Sequence, residues 1–332
     1  MANMVLTNQT LPQGQPNSIA EIKKMLTDIT DEVAASEALT GYMTPDSRLV
    51  RAAQSAGTFS VATIDTSGLG NYSKFKGSPI GAVGTSYEDY KCRYDRARSF
   101  ILDSIDIMQD DGLLDTSAIV AEFMRSEVVP EIDATRIATC ASKAITAKNT
   151  VSKEPAKASF LSDVVTGINT VRKNLKLKGT AGFKIHISDK YQDILEMSSE
   201  FNRSKDITAG IRKLDTGVEM INQGEVIYTP EDYMWSEFTY ASAIAQTEPS
   251  DIVPVPAGGF EPASGAKEIA ALIVAPGVAN GLIASEATQI FPAGTVPGVF
   301  GSQVDYRIFH DCVVLKNKIP GLYAITVPTS SS

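Results

Sequence analysis

The sequence predicts an α+β fold. Three observations carry the prediction: helix-type apolar spacing is confined to a few stretches, strand-like runs stand before and after them, and no βαβ unit recurs. No internal repeat is visible. The 332 residues are enough for two compact domains, or for one domain with large excursions. A hydrophobic content of 43% beside 21% charged residues describes a soluble globular protein with an ordinary core. The formal net charge of −9 argues against tight, phosphate-driven nucleic-acid binding, which needs a basic footprint; local lysine patches stay open, but no block of basic residues is visible.

Residues 1–17 hold Pro12, Gly14 and Pro16 and predict an irregular arm. Ser18 with Glu21 three residues on is a capping-box pattern, and Ile19, Ile22, Leu26, Ile29 and Val33 continue it as an amphipathic helix to about Ala38. That helix packs either on its own domain or on a neighbour. From Ala56 to Arg93 the pattern changes: Phe59, Val61 and Thr63 alternate with small polar residues, residues 66–70 are turn material, and a return run spans Tyr87 to Tyr94. This stretch has too few apolar residues for a core of its own. Alone it would be a long β-ribbon, marginal in water, so a second subunit is expected to supply the missing contacts.

The segment 99–145 organises the chain. A short apolar run from Phe100 to Ile107 precedes a turn at Asp110, Asp111 and Gly112, and Asp115 or Thr116 can cap a helix start. Ile119, Val120, Phe123 and Met124 lie on one stripe, and Ile132, Ile137, Cys140, Ala141 and Ala144 continue it past Pro130. Proline lacks the amide donor and crowds the preceding turn, so a kink is expected near Val129. One kinked rod over about 116–145 would be roughly 45 Å long. Lys143 to Lys157 then predicts a domain crossing, Phe160 to Leu175 a second helix ended by Gly179 and Gly182, Lys184 to Ile187 a strand, and Asp189 to Ser198 a helix with Tyr191, Ile194, Leu195 and Met197 inward. Short strands are expected at Ile211–Leu214, Val218–Ile221 and Glu225–Thr229, and a contact loop at Glu248–Gly265. Ile269 to Val274 is continuous and apolar, as in a buried central strand. The closing strands are Val304–Phe309, Cys312–Lys316 and Tyr323–Val327.

Few residues invite chemistry. His186 sits in an alternating strand, where a half-buried, hydrogen-bonded histidine is expected. His310 and Asp311 are adjacent in a strand and so point to opposite faces, which does not make a catalytic pair. The sequence contains no CxxC, HExxH, P-loop or GxSxG pattern, and Gly68-x-Gly70 lacks the strand–helix context of a dinucleotide loop. Asp103, Asp106, Asp110 and Asp111 lack calcium-loop spacing and suit turns and caps. Cys92, Cys140 and Cys312 are odd in number and far apart, which favours reduced, buried thiols in a cytoplasmic setting. Trp235, Tyr233 and Phe238 are read as core or contact surface. The N-terminus shows no secretory signal, and Ile269 to Ala284 is too broken and short to span a bilayer, so no membrane contact is expected. Catalytic residues, a cofactor and a metal are all expected to be absent.

The string Asp95-Arg96-Ala97-Arg98-Ser99-Phe100, with Asp103 and Asp106, leads into Glu122-Phe123-Met124-Arg125 and Val129-Pro130-Glu131-Ile132-Asp133. The chain closes with Ile269 to Val274, Ile290-Phe291-Pro292, Tyr306 to Asp311, Leu315 to Lys318 and Gly321-Leu322-Tyr323. In this order the pattern resembles the major capsid proteins of tailed bacteriophages, which have a Hong Kong 97-like fold, over about Phe59 to Thr326. The resemblance implies an N-terminal arm (1–55), a β-ribbon E-loop (56–97), a P domain (98–148 and 285–311) with a long spine helix, and an A domain (149–284 and 312–328) with a central sheet flanked by helices. Asn71-Tyr72-Ser73 and Gly77 resemble the middle of the E-loop, and residues 210–218 and 228–230 resemble mid-domain strands.

The implied function is a structural shell: hexamers and pentamers closing an icosahedral, virion-type capsid around double-stranded DNA, assembled in a bacterial cytoplasm. Leu69, Tyr72, Lys74, Phe75 and Lys76 on the ribbon are candidates for contact between subunits. So are Arg96, Arg98, Glu131 and Asp133 around the spine. Portal and decoration proteins are further candidate partners, and since no scaffold-like segment precedes the arm, a separate scaffold, or none, is implied. The same fold builds encapsulins, bacterial compartments holding enzyme cargo, which is the alternative. A soluble cytoplasmic enzyme or ligand-binding protein is the distant one.

Overall fold

A computed structural model describes residues 38–43, 50–52, 58–75, 77–103, 116–176, 182–198, 218–241, 258–291, 294–297 and 301–328. The expected terminal helix, the Asp110–Gly112 turn, the strand Ile211–Leu214, Lys76 and most of the 248–265 loop lie outside them.

In chain order, β1 (Val50–Ala52), β2 (Thr58–Thr66) and β3 (Val83–Lys91) form an antiparallel ribbon, after which β4 (Tyr94–Asp103) enters a different sheet. Thr116 opens a helical rod made of α1 (Thr116–Phe123), a π-helical stretch (Met124–Val128) and α2 (Val129–Thr146). In an α-helix the Pro130 ring would strike the carbonyl four residues back. The chain widens just ahead of it, with Val129 donating to the Met124 carbonyl. The expected kink at Val129 is therefore a π-bulge that begins five residues earlier.

The stretch expected as a domain crossing contains the end of α2 and β5 (Thr150–Ser152), which pairs in parallel with a late strand. α3 (Phe160–Asn174) stops before Gly179 because Lys176 already turns the chain in the left-handed region, with φ 52. β6 (Phe183–Ser188) leads through a 3₁₀ turn into a short α4 (Gln192–Glu196) that buries Leu195 and leaves Met197 exposed, contrary to the longer inward-facing helix expected. β7 (Met220–Ile221) is shorter than expected, and β8 (Gly224–Thr229), β9 (Phe238–Tyr240), β10 (Phe260–Pro262) and β11 (Ile269–Val274) follow. A hairpin of β12 (Ala279–Phe291) and β13 (Gly301–Val314), then a 3₁₀ helix and β14 (Leu322–Thr326), close the chain. The sequence reading expected a break between Phe309 and Cys312 and missed most of β12. Alternation is lost at 310–315 because both faces of β13 are covered there, not because the strand ends.

The main core surrounds a six-stranded sheet in the order β5-β14-β11-β6-β8-β7. All six residues of β11 are buried, as expected of the central strand, though it runs antiparallel to both neighbours. α2 and α3 pack on this sheet, and the Gly167 backbone of α3 lies against Ile273 and Tyr323. The second sheet, β12-β13-β4, sets Val304, Tyr306 and Ile308 against Val120, Met124, Val128 and Ile132 of the rod. The rod thus joins two cores. A bulge between Ile283 and Ser285 bends β12 where it passes from one to the other. Phe238, with Trp235 and Tyr233 partly buried beside it, packs on Ala134 and Ala138.

Candidate functional site

The ribbon is anchored at one end only. At its base Phe59, Val61, Tyr90 and Cys92 pack against Leu282, Val313 and Leu315 of the hairpin and the residue after it. Burial, with the nearby Asp311 carboxylate second, pushes the Cys92 thiol up to about 11, so it is a packing group and not a nucleophile. Arg93 clamps the corner with two bonds to the buried Asp311, Nε to Oδ2 at 2.9 Å and Nη2 to Oδ1 at 3.1 Å. Nine residue pairs, from Thr58 with Lys91 to Thr66 with Val83, then carry β2 and β3 outward.

Beyond that ladder the tip is held by its own backbone. Ser67 bonds to Ala82, and Ser73 and Gly77 exchange both backbone bonds, at 3.1 and 2.7 Å. The turn needs Gly77 in the left-handed region, φ 75. This frame presents Leu69, Phe75 and Ile80 with relative exposures of 108%, 96% and 102%, and Tyr72 and Val83 at 72% and 71%. Values near 100% mean that the chain's own atoms touch these side chains hardly at all. Lys74 is exposed beside them. The tip is therefore an apolar surface with no intramolecular cover among the described residues. Leu69, Tyr72, Lys74 and Phe75 of the expected contact set come together here, and Lys76 lies outside the described residues. Ile80, Val83 and the half-exposed Tyr87 were missed. The available signal was large apolar residues in a stretch that contains nothing for them to pack on.

The other expected contact residues sit inside the chain. Arg96 Nε and Nη2 donate to the two Glu131 oxygens at 2.6 and 3.0 Å, and its remaining donors reach the Ala241 and Gly259 carbonyls. Burial raises the Glu131 carboxyl and Arg96 partly counters it. Asp133 is buried and accepts from the Leu39 and Thr40 amides at 2.8 and 3.1 Å and from the Thr40 hydroxyl. Burial raises it too, against those same bonds. Arg98 lines a cavity of about 590 Å³ with Arg96, Phe100, Phe123, Glu131 and Tyr306, between β4, β13 and the rod.

Both histidines are buried, and His310 borders the cavity just described. His186 is wholly buried, beyond the half-burial expected, with Nε2 2.8 Å from the Tyr42 hydroxyl and Nδ1 3.0 Å from Thr229 Oγ1. His310 stacks on Tyr94 at 5.8 Å, while Asp311 turns to Arg93 on the other face. The three cysteines are free and buried. Among the described residues no group of three His, Cys, Asp or Glu could hold a metal, and no helix is long and apolar enough to cross a membrane.

No protein-family model and no curated protein matches the sequence. Solved structures do match the fold. The capsid structure of the cyanophage P-SCSP1u superposes with a TM-score of 0.56 at 10% identity, over 87% of this chain and 87% of that one. The mature capsid of bacteriophage PhiM1 gives 0.52 at 14% identity over 83% of each chain. This chain has the fold of phage capsid subunits. A virus-like particle from Pyrococcus furiosus matches at 0.50 and 9% identity, over 93% of this chain and 100% of that one. At such identities what is shared is backbone architecture, so what the tip and the cavity do here has to come from their own chemistry.

Proposed function

We propose that the chain is the major capsid protein of a tailed bacteriophage, assembling as hexamers and pentamers into an icosahedral shell around double-stranded DNA. The observation that carries the proposal is the ribbon tip, whose Leu69, Phe75 and Ile80 are wholly exposed on a two-stranded arm. Burying these three side chains on a neighbour would contribute roughly 5–9 kcal/mol, before the entropy of association offsets part of it. In this reading 56–97 is the E-loop, 98–148 with 285–311 the P domain, 149–284 with 312–328 the A domain, and 1–55 an arm. The bulge at Ile283 to Ser285 supports a division near residue 284. Leu69, Tyr72, Phe75 and the neighbouring Lys74 and Lys76 make the contact. Arg96, Arg98, Glu131 and Asp133 act on it indirectly, by fixing the shape of the surface that receives a neighbour. The role is structural, without a cofactor, and the DNA is enclosed without sequence-specific binding. Portal, scaffold and decoration proteins complete the particle, which forms in the host cytoplasm.

Negative-stain imaging of the full chain tests the proposal. Closed shells are expected, and monomers or dimers under all assembly conditions would overturn it. The encapsulin-type reading is favoured by one observation, the match along the whole Pyrococcus furiosus subunit. Particles from the natural source separate the two: nuclease-protected DNA supports a capsid, and a protein cargo without DNA supports a compartment.

A further inference from the structure

We infer that one end of the six-stranded sheet is a contact for the phosphate backbone of a nucleic acid. Four segments converge there: the C-terminal ends of α2 and α3, the turn 275–278 between β11 and β12, and the 3₁₀ helix Lys316–Gly321. The Ala275 amide donates to the Gly321 carbonyl at 3.0 Å, Asn149 Nδ2 to the Ile319 carbonyl at 3.5 Å, and Lys318 Nζ to the Gly277 carbonyl at 2.8 Å. A Cβ at Gly321 would lie 3.0 Å from Leu175 Cδ1, which brings the end of α3 to the same place.

The segments carry Lys143, Lys148, Lys173, Lys176, Lys316 and Lys318, and 142–149, 172–176, 275–278 and 316–321 contain no Asp or Glu. In a chain of net charge −9 that is a sharp local reversal. All but the half-buried Lys318 are exposed, and among the described residues only Lys316 has an ion-pair partner, Glu88 at 3.5 Å. The opposite ends of the same strands carry Glu154, Asp189, Glu231, Asp232 and Glu268, where Lys153 and Lys190 are already paired with Asp163 and Glu268. Charge is therefore separated along the strand direction on the β5-β14-β11 side of the sheet, while further across it, at the basic end, Glu225 is paired with Lys184 and Glu219 stands nearby.

Helix dipoles account for Lys143 and Lys173, which stand in last turns. They do not account for Lys316 and Lys318, nor for Lys148 and Lys176. Those two occupy left-handed backbone, φ 61 and 52, directly after each helix. Glycine or asparagine is the ordinary residue there, so lysine keeps a cation at the cost of some backbone strain. The patch has no aromatic side chain on which a base could stack. Flexible ammonium groups without a platform suit phosphates and carry no sequence information. The inference rests on the shell reading for why a nucleic acid is at hand, but the contact is measurable on unassembled protein.

The experiment is fluorescence anisotropy of the full chain with two duplex DNAs of unrelated sequence across a salt series. Both duplexes should bind alike, with log K falling against log salt at a slope on the order of −4. The triple variant K143Q/K173Q/K316Q should flatten that slope by about 2–3, since each phosphate contact contributes about one. The triple K153Q/K157Q/K267Q changes the net charge equally and should leave the slope as it is. Equal effects of the two triples, or no binding by the unaltered chain at low salt, would overturn the inference. Inorganic triphosphate at matched phosphate concentration should compete poorly, and full competition would overturn the nucleic-acid assignment in favour of a small-anion site. Self-association lost in the first triple, with DNA binding unchanged, would instead assign the patch to the acidic end of a second copy. Particle formation by the first triple is scored in parallel, so failure of the patch and failure of the shell reading give different results.

Discussion

His186 and His310 lie in strands whose faces are covered, and burial holds both imidazoles down to about 4, with Lys184 adding to the effect at His186 and Arg136 at His310. The neutral His186 ring can accept from Tyr42 at Nε2 and donate to Thr229 from Nδ1, a pattern the cation cannot keep. In the unfolded chain each histidine takes its proton near 6.5. As pH falls through 6.5 the unfolded state therefore gains protons that the folded state takes up only near 4. Stability is lost across that window, by roughly 3 kcal/mol per histidine, and levels off below it. Urea unfolding of unassembled subunits at pH 7, 5.5 and 4 should show this loss, and His186→Gln should shrink it even if the variant starts less stable. An unchanged pH dependence would mean the ring is not buried as described. Gly167 gives a second test. Alanine is the better helix former by about 1 kcal/mol, but its methyl would come within 2.6 Å of Ile273 Cδ1 and 2.7 Å of Tyr323 Cδ1. Overpacking of that kind typically costs about 1–3 kcal/mol, so Gly167→Ala should lower the melting temperature. A rise would show that α3 stands further from the sheet.

At the scale of elements, the ribbon and the rod fail in opposite ways when altered. The rod serves two cores through Val120 before the bulge with Met124 and Val128 within it, and through Ile137, Cys140 and Ala144 beyond it, so it is intolerant of polar substitution. Met124 is fully buried, and Met124→Ala should cost about 2–5 kcal/mol in denaturant unfolding. The ribbon tip should behave as if absent from the subunit's stability. Leu69→Ser, Phe75→Ser and Ile80→Ser together should change unfolding free energy by no more than about 0.5 kcal/mol, because surface side chains without neighbours have no packing to lose. The same triple should abolish assembly. Sedimentation and thermal melting of one sample read both, and a large loss of stability would mean the tip packs within its own chain. The ribbon was legible in the sequence because Phe59, Val61 and Thr63 alternate and the glycines recur. The tip's apolar set was not fully legible, since Ile80 between Pro79 and Gly81 carries no periodicity. The rod was legible from its stripe, and Pro130 gave the place of its irregularity. Its form was not, because whether a helix bends or widens depends on what packs against it.

For the whole molecule, the order of elements along the chain was readable, but the sharing of β12 and β13 between two cores was not. Cover on both faces removes the alternation that marks a strand, which is why 301–314 looked divided, whereas 279–291 went unread because a bulge between Ile283 and Ser285 breaks its alternation midway. The contact residues divided for a related reason. Charge at Arg96, Glu131 and Asp133 resembles an exposed recognition surface in sequence, whereas tertiary folding turns those groups toward one another and toward Thr40. The reading of the molecule as a shell subunit comes down to the arm that its own cores do not need. Removing residues Thr66 to Gly81, with a short turn closing Asp65 to Ala82, tests this most directly, with circular dichroism for the fold and sedimentation for assembly beside the full chain. The account predicts an unchanged spectrum, a melting temperature close to that of the unassembled full chain, and no large particles where the full chain forms them. A deletion variant that unfolds, or one that assembles as the full chain does, would contradict it.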